Sequence, residues 1–485
     1  MSTSEAKTIS SYGSIYLLAN IVNRSAGFIL IPLYTYTLSL EEYGLLAIVM
    51  AVSDLLAILF GMGFTAAMTR FYFDFDNDSD EQKLVISTTL LGFFALSLII
   101  LIFAYPIARL TVSVLFETTE YLGVFVFAIA GLIFTLLFEV VVGYTIIQKK
   151  AWSYLSIAIS KAVLFIASNL ILVFYLKLGV PGVIYATVIS LGSLSLILSV
   201  GILRTVGTGF SFPLMREMVS YGIPLIPASF ADAALPVVER HFINVLVGPS
   251  AVGIYSLGHR LASMLQMFIA KPFSEIFFVR RFETLAKGED QGVFNRILLV
   301  FVALMITCSL GLSLFGHEII TLISPEEYLG IIPAIPVLGL CFVLSSLNLN
   351  IQLGIIYQKK TWTIPVIGLV ALLASVPANY LLIGKFGILG AALALLLINI
   401  LRIATTLTIN LLIGTRLINI DWPRAIAIAF IGTAIGVLAI NSFPQGFSIQ
   451  WSVIKLLVIA GFVLFLFVTP LLDRKTKLEL AALRR

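Results

Sequence analysis

The chain has 485 residues, 60% of them hydrophobic and 11% charged, with a mean hydropathy of +1.08. Soluble domains carry roughly 25% charged residues, so this composition excludes a soluble globular fold. Its apolar runs reach the ~20 residues that take a helix across a ~30 Å hydrocarbon core, and they are too continuous for barrel strands of ~10 alternating residues. The expected class is an all-α integral membrane protein. A net charge of +5 and a pI near 9.0 do not require a nucleic-acid partner, because insertion bias concentrates Lys and Arg in cytoplasmic loops. Cys308 and Cys341 both fall in apolar runs, so neither a disulfide framework nor a metal cluster is expected.

In chain order, the polar start MSTSEAKTISSYG lacks the short apolar core and cleavage site of a signal peptide, and the first helix is read as retained. Hydropathy then marks fourteen spans, approximately 11–37, 43–68, 84–108, 121–147, 153–176, 181–203, 219–246, 251–278, 295–322, 331–357, 363–383, 387–413, 424–442 and 452–472. The longest connections are the acidic stretch near 74–83 and the mixed stretch near 280–296. An even number of spans puts both termini on one side. With that side cytoplasmic, the inner segments hold 20 of the 30 Lys and Arg residues, including Arg70, Lys149, Lys150, Lys359, Lys360 and Arg424. The opposite loops and helix ends hold four: Arg109, Lys177, Lys385 and Lys455. The split predicts cytoplasmic termini.

The chain also repeats itself. Gln-Lys-Lys-x-Trp at Gln148–Trp152 recurs at Gln358–Trp362, 210 residues on. Ser-Tyr-Gly at Ser11 recurs at Ser220, and Gly44 matches Gly253, both at an offset of 209. The run from Gly179 matches the run from Gly387 at an offset of 208. Each pair occupies the same place in a set of six spans. Six is even, so the copies are parallel repeats about an axis along the membrane normal, an arrangement that places a substrate site between halves. The expected organisation is 1–208 as a first six-helix lobe, 209–416 as a second, and 417–485 as an extra helix pair with a basic tail. The two lysine pairs could attract a diphosphate or an anionic lipid surface, and topology alone also accounts for them.

With SYG opening the first helix, EEYG opening the second, and G-x-x-G-A-A-x-A opening the last helix of a lobe, the chain resembles the polysaccharide (O-antigen type) flippases. That family shares a superfamily with multidrug and toxin extrusion transporters and lipid II flippases. The first lobe departs from the pattern with Pro181 and Ile184. The resemblance implies two six-helix lobes plus a C-terminal pair in the cytoplasmic membrane. It implies export of undecaprenyl-diphosphate-linked oligosaccharide by alternating access, alongside a polysaccharide polymerase and chain-length machinery, with no ATPase of its own. No cofactor is expected; Na+ or H+ coupling stays open.

Ionisable side chains inside the bilayer are costly and face a cavity or a partner. In span one, Gly13, Tyr16, Asn20, Asn23, Arg24 and Gly27 recur at helical spacing on one face. Arg24 fits a diphosphate, since guanidinium matches phosphate oxygens bidentately; a buried pair with Asp54 or Glu139 is the alternative. Span seven carries three prolines with Asp232, Glu239, Arg240 and His241, as broken helices at transport sites do. Span eight adds His259, Arg260 and Gln266. Lys161 and Ser168, then Ser345, Asn348 and Gln352, then Asn399, Arg402, Thr406 and Asn410 form further polar stripes, which suit sugars or interhelical bonds.

Three functions compete at this point. The first is lipid-linked oligosaccharide translocation. The second is cation-coupled multidrug antiport, with Asp54, Glu139, Asp232 and Glu239 as proton or sodium sites. The third, a glycan polymerase or ligase, is disfavoured by the short extracytoplasmic loops. His317, Glu318, Glu326 and Glu327 lack metal-ligand spacing, and no phosphate-binding glycine loop is present.

Overall fold

A computed structural model describes residues 15–16, 18–23, 25–76, 79–116, 118–287, 292–414, 420–443, 448–469 and 471. Regular structure among them is entirely helical. Among the described residues ten stretches are long and apolar enough to cross a membrane, and one of these, Thr361–Leu412, joins two expected spans at Gly387. The expected spans outside those ten are one, seven and eight, the three in which the sequence concentrates polar residues.

The chain forms two compact units, Met1–Val237 and Val238–Arg485. In the first unit α1 (Ile31–Thr37), α2 (Leu40–Gly61) and α3 (Phe64–Tyr72) are followed by α4 (Asp80–Ile102) and α5 (Ala104–Leu115). Next come α6 (Leu122–Ile147), α7 (Ala151–Asn169) with a π turn at Leu170–Tyr175, α8 (Gly179–Val206) and α9 (Phe212–Gly222). The EEYG segment starts α2 through a capping box: Ser39 Oγ accepts from the Glu42 N–H at 3.1 Å, and Glu42 Oε2 accepts from the Ser39 N–H at 2.9 Å. α6 packs along α8, α2 and α4. Buried Tyr34 Oη donates to Asn169 Oδ1 at 2.8 Å, tying α1 to α7.

Span seven is not one continuous helix. It breaks at a 3-10 turn, Ile223–Leu225, beside Pro224 and Pro227, before α10 (Ile226–Leu246). Its first part, α9, packs on α3 and α4. There Gly222 meets the left-handed break of span two, Met62 (φ 43) and Gly63 (φ 65). A Cβ on Gly222 would stand 1.8 Å from Met62 O, so only glycine allows this approach. The compact units therefore divide inside α10, and the sequence repeat and the packing units are different divisions of the chain.

The second unit contains α11 (Pro249–Leu265), a π turn at Gln266–Ala270, α12 (Lys271–Lys287), α13 (Gly292–Leu314) and α14 (Gly316–Ile323). After the 3-10 segment Glu326–Ala334 follow α15 (Ile335–Ile351), α16 (Leu353–Tyr357) and α17 (Ile364–Leu412). The extra pair is α18 (Trp422–Ser442) and α19 (Ile449–Val468), and both pack on α13. The large residues facing outward, among them Phe430, Leu411, Leu412 and Leu457, suit hydrocarbon, whereas Ser190, Ser346 and Asn350 are buried. Small and polar residues inside and aliphatic residues outside are the arrangement by which helices associate in lipid.

The repeat is written in the backbone as well. Lys149 (φ 54) and Lys359 (φ 56) both sit in the left-handed region. In each copy the lysine N–H returns to the carbonyl three residues back (2.9 and 3.0 Å), and the next N–H returns five back (3.3 and 3.1 Å). This is the double bond of a Schellman cap, whose left-handed residue is usually glycine. An L-residue in that conformation costs roughly 1–2 kcal/mol. Gly179 (φ 61) and Gly387 (φ 57) repeat a second left-handed position. The break that follows Gly61 in span two falls where the π turn ends at Ala270 in span eight, at the offset of 209 that relates Gly44 to Gly253.

Candidate functional site

In the second unit, α10 and α11 bring a set of ionisable side chains into the interior. Glu239 is only 4% exposed and Tyr255 is fully buried. Tyr255 Oη donates to Glu239 Oε1 at 2.6 Å, and Arg240 Nη1 lies 3.9 Å from Glu239 Oε2. The His259 ring stands 5.9 Å from the Tyr255 ring and 5.1 Å from Phe342, within the field of Arg240. Two turns further, where α11 widens into the π turn, Gln266 Nε2 reaches Ser345 Oγ at 3.4 Å. The carboxylate is thus held by one neutral donor and one cation, an arrangement able to exchange a proton or to hold charge in reserve. Sequence reasoning named Glu239, Arg240 and His259 but missed Tyr255. Its spacing of four from His259 along α11 was the available signal.

The first unit holds its charges differently. Asp54 on α2 and Glu139 on α6 are exposed, and Lys161 on α7 is half-buried, with its ammonium 5.0 Å above the Phe138 ring. Glu139 interacts electrostatically with both Lys161 and Asp54. Carboxylates within apolar helices are costly in hydrocarbon and are as a rule turned toward a partner or a water-filled space. Across to span one, Tyr154 Oη on α7 donates to Asn20 Oδ1 at 2.8 Å, and the Tyr16 and Tyr154 rings lie 5.4 Å apart. Asn23 Oδ1 is buried without a hydrogen-bond partner. Arg24 lies outside the described residues.

Of the remaining candidates, Asp232 is exposed, and Arg260 and Arg402 are half-buried; each of the three makes a further polar or ring interaction. The amide stripe of spans ten and twelve knits helices together: Thr406 Oγ1 donates to Asn348 Oδ1 at 2.8 Å, and Asn410 Nδ2 to Ile351 O at 3.3 Å. Cys308 and Cys341 are unpaired. Among the described residues no group of three or more His, Cys, Asp or Glu could hold a metal ion.

Lys455 is paired inside the protein, which the sequence did not announce. Read as a charge at an extracytoplasmic helix end, it is 3% exposed and forms an ion pair with Glu318, itself 5% exposed. Its ammonium also stands 5.6 Å from the Phe315 ring and 5.9 Å from the Phe443 ring. Only the packing of α19 against α13 and its neighbours brings the two residues together, which no spacing in the sequence announces.

The polysaccharide biosynthesis protein family matches residues 12–278, more than half of the chain. The chain belongs to this family. It is accordingly a multi-pass membrane protein of a polysaccharide biosynthesis family, in keeping with the ten apolar stretches among the described residues. Its fold is similar to that of the lipid II flippase MurJ in an inward closed conformation, at 14% identity and a TM-score of 0.70, covering 94% of this chain and 98% of that one. It is similar to an inward-facing multidrug resistance MATE family transporter of the MOP superfamily, at 16% identity and a TM-score of 0.64, over 83% and 94% of the two chains. A MOP superfamily transporter from Pyrococcus furiosus, described by the reverse polarity of its binding pocket, matches at 15% identity and a TM-score of 0.58, over 83% and 94%. At such identities the likeness is one of fold, and it accords with a plan of about fourteen helices. No curated protein matches the sequence.

Proposed function

We propose that the chain carries an undecaprenyl-diphosphate-linked oligosaccharide across the cytoplasmic membrane by alternating access, for the assembly of a cell-surface polysaccharide. The observation that carries this reading is membership of a polysaccharide biosynthesis family in a chain that folds like a lipid II flippase. Both termini lie in the cytoplasm, in accord with the loop charges. Arg24 engages the diphosphate, and amides and hydroxyls such as Asn20 and Asn23 engage sugar. Asp54, Glu139 and Asp232 exchange the coupling ion, H+ or Na+. The chain itself performs no catalysis and hydrolyses no nucleotide; the polymerase and chain-length machinery consume the product.

The test uses the protein in liposomes containing a fluorescent undecaprenyl-diphosphate disaccharide, with a membrane-impermeant quencher outside. Translocation brings the inner pool within reach of the quencher, and Arg24→Ala abolishes this while the protein remains folded. Unchanged accessibility in wild-type vesicles refutes the reading. A second reading, cation-coupled multidrug antiport, draws on the exposed carboxylates Asp54 and Glu139. Ion-driven uptake of a cationic dye by the same vesicles, without glycolipid movement, would establish it instead.

A further inference from the structure

The Gln-Lys-Lys-x-Trp segments have no role in the proposed transport site, yet they are the feature the two lobes share most closely. Around them the copies have diverged. The position matching Asp54 is Ser263, and that matching Glu139 is Leu349. Gln148, Lys149, Lys150 and Trp152 nevertheless reappear as Gln358, Lys359, Lys360 and Trp362. Any partner that explains this persistence must be met by both lobes in the same way, which a single asymmetric substrate is not.

The local geometry points in the same direction. Lys149 and Lys359 hold left-handed backbone that glycine would adopt without strain, and both copies keep lysine there. A cation favours a helix C-terminus, but a lysine in the last helical turn would supply that without the strain. All four lysines are exposed, and none has an acidic partner among the described residues. Three other cations near helix ends, Arg70, Lys83 and Arg424, are by contrast paired with Asp74, Asp80 and Asp421 at 3.2, 3.1 and 3.1 Å. Two residues after each lysine pair an indole stands out from the helix start, Trp152 at 67% exposed and Trp362 at 71%. Two exposed lysines followed two residues on by an exposed indole match the layering of an anionic phospholipid, with phosphate outermost and the glycerol and carbonyl level, where Trp prefers to sit, beneath it.

We infer that each lobe carries a binding site for the headgroup of an anionic phospholipid, formed by Lys149, Lys150 and Trp152 in the first and Lys359, Lys360 and Trp362 in the second. The two sites anchor the lobes separately to the leaflet they face, which the loop charges identify as the cytoplasmic one. Lipid composition therefore acts on each lobe through its own contact.

The experiment uses the full chain with Trp422→Phe and Trp451→Phe, so that only the two motif indoles fluoresce. The protein is reconstituted in phosphatidylcholine with a minor fraction of phosphatidylglycerol, with bromine carried on one lipid or on the other. About 1 kcal/mol of attraction per basic residue corresponds to roughly fivefold local enrichment for each lysine. Brominated phosphatidylglycerol is therefore expected to quench at least about fivefold beyond its bulk share. Exchanging all four lysines for Gln returns quenching to the bulk share. Lys149→Gly with Lys359→Gly is the second variant: it relieves the backbone, so it raises thermal stability while lowering enrichment. Quenching that follows bulk composition in the wild type overturns the inference, as does enrichment that survives both sets of substitutions. Loss of enrichment on adding soluble diphosphate overturns it in favour of substrate capture. The readout involves no transport, so its failure and that of the flippase reading are separate events.

Discussion

Lys149 and Lys359, like Gly179 and Gly387, hold left-handed backbone at matching places in the two copies, whereas the residues matching Glu239 and Arg240 in the first copy are Leu30 and Ile31. Those two are as buried, at 2% and 1% exposed, as Glu239 and Arg240 are at 4% and 9%. Tyr255 and His259 match Leu46 and Met50. The positions of Glu239, Arg240 and Tyr255 are thus filled by buried aliphatic side chains in one copy and by a hydrogen-bonded ionic cluster in the other, while Met50, matching His259, is exposed. Replacing a buried ion pair by well-packed apolar residues is often neutral or stabilising. The first copy fills the matching positions with apolar residues, so the repeat itself does not dictate a charged filling in the second. What the duplication preserved is where the chain turns; what it varied is chemistry.

Transplanting the first copy's residues tests this most strongly. Glu239→Leu alone leaves Arg240 buried beside an aliphatic residue and is expected to destabilise by about 3–5 kcal/mol, the cost of breaking a buried pair. Glu239→Leu with Arg240→Ile restores thermal stability in detergent close to wild type but abolishes glycolipid translocation in vesicles. A double variant that transports normally removes the cluster from the mechanism. Tyr255→Phe comes next. It removes a hydrogen bond to a charged acceptor, worth about 1.5–3 kcal/mol, and the melting temperature is expected to fall accordingly. The smallest effect contrasts the openings of spans two and eight, where Ser39 matches Gly248. Ser39→Ala removes the cap and costs about 1 kcal/mol. Gly248→Ala forces φ +123 on a side chain and costs about 1–3 kcal/mol. Equal melting temperatures for the two variants would mean that these helix starts do not limit stability.

Much of this was legible in the sequence, for reasons that can be named. Hydropathy marks the spans because the bilayer demands continuous apolar helices, and the parallel repeat shows because glycine and lysine stay where the backbone turns left-handed. The break in span seven was signalled by Pro224 and Pro227, but its consequence was not. That α9 packs with the first unit depends on Gly222 fitting against Met62, a contact made 160 residues along the chain. The partners of the candidate residues were equally hidden. Tyr154 for Asn20 and Tyr255 for Glu239 are ordinary tyrosines until the helices pack. The polar stripe of Asn348, Thr406 and Asn410 fitted sugar binding and helix association equally well, and the structure uses it for association.

The pair between Lys455 and Glu318 has a consequence for how the protein is made. The two residues are 137 positions apart, so Glu318 has left the ribosome and entered the membrane well before its counter-ion is synthesised. Until α18 and α19 insert, α13 lacks the helices that cover it and Glu318 has no cation to meet. The second lobe therefore holds an unpaired Glu318 until the extra helix pair is made, whereas the ion pairs described in the first lobe, Arg70 with Asp74 and Lys83 with Asp80, close within it. A nascent chain halted after α17 would carry a second lobe with a carboxylate still unneutralised, open to quality control that the completed chain escapes.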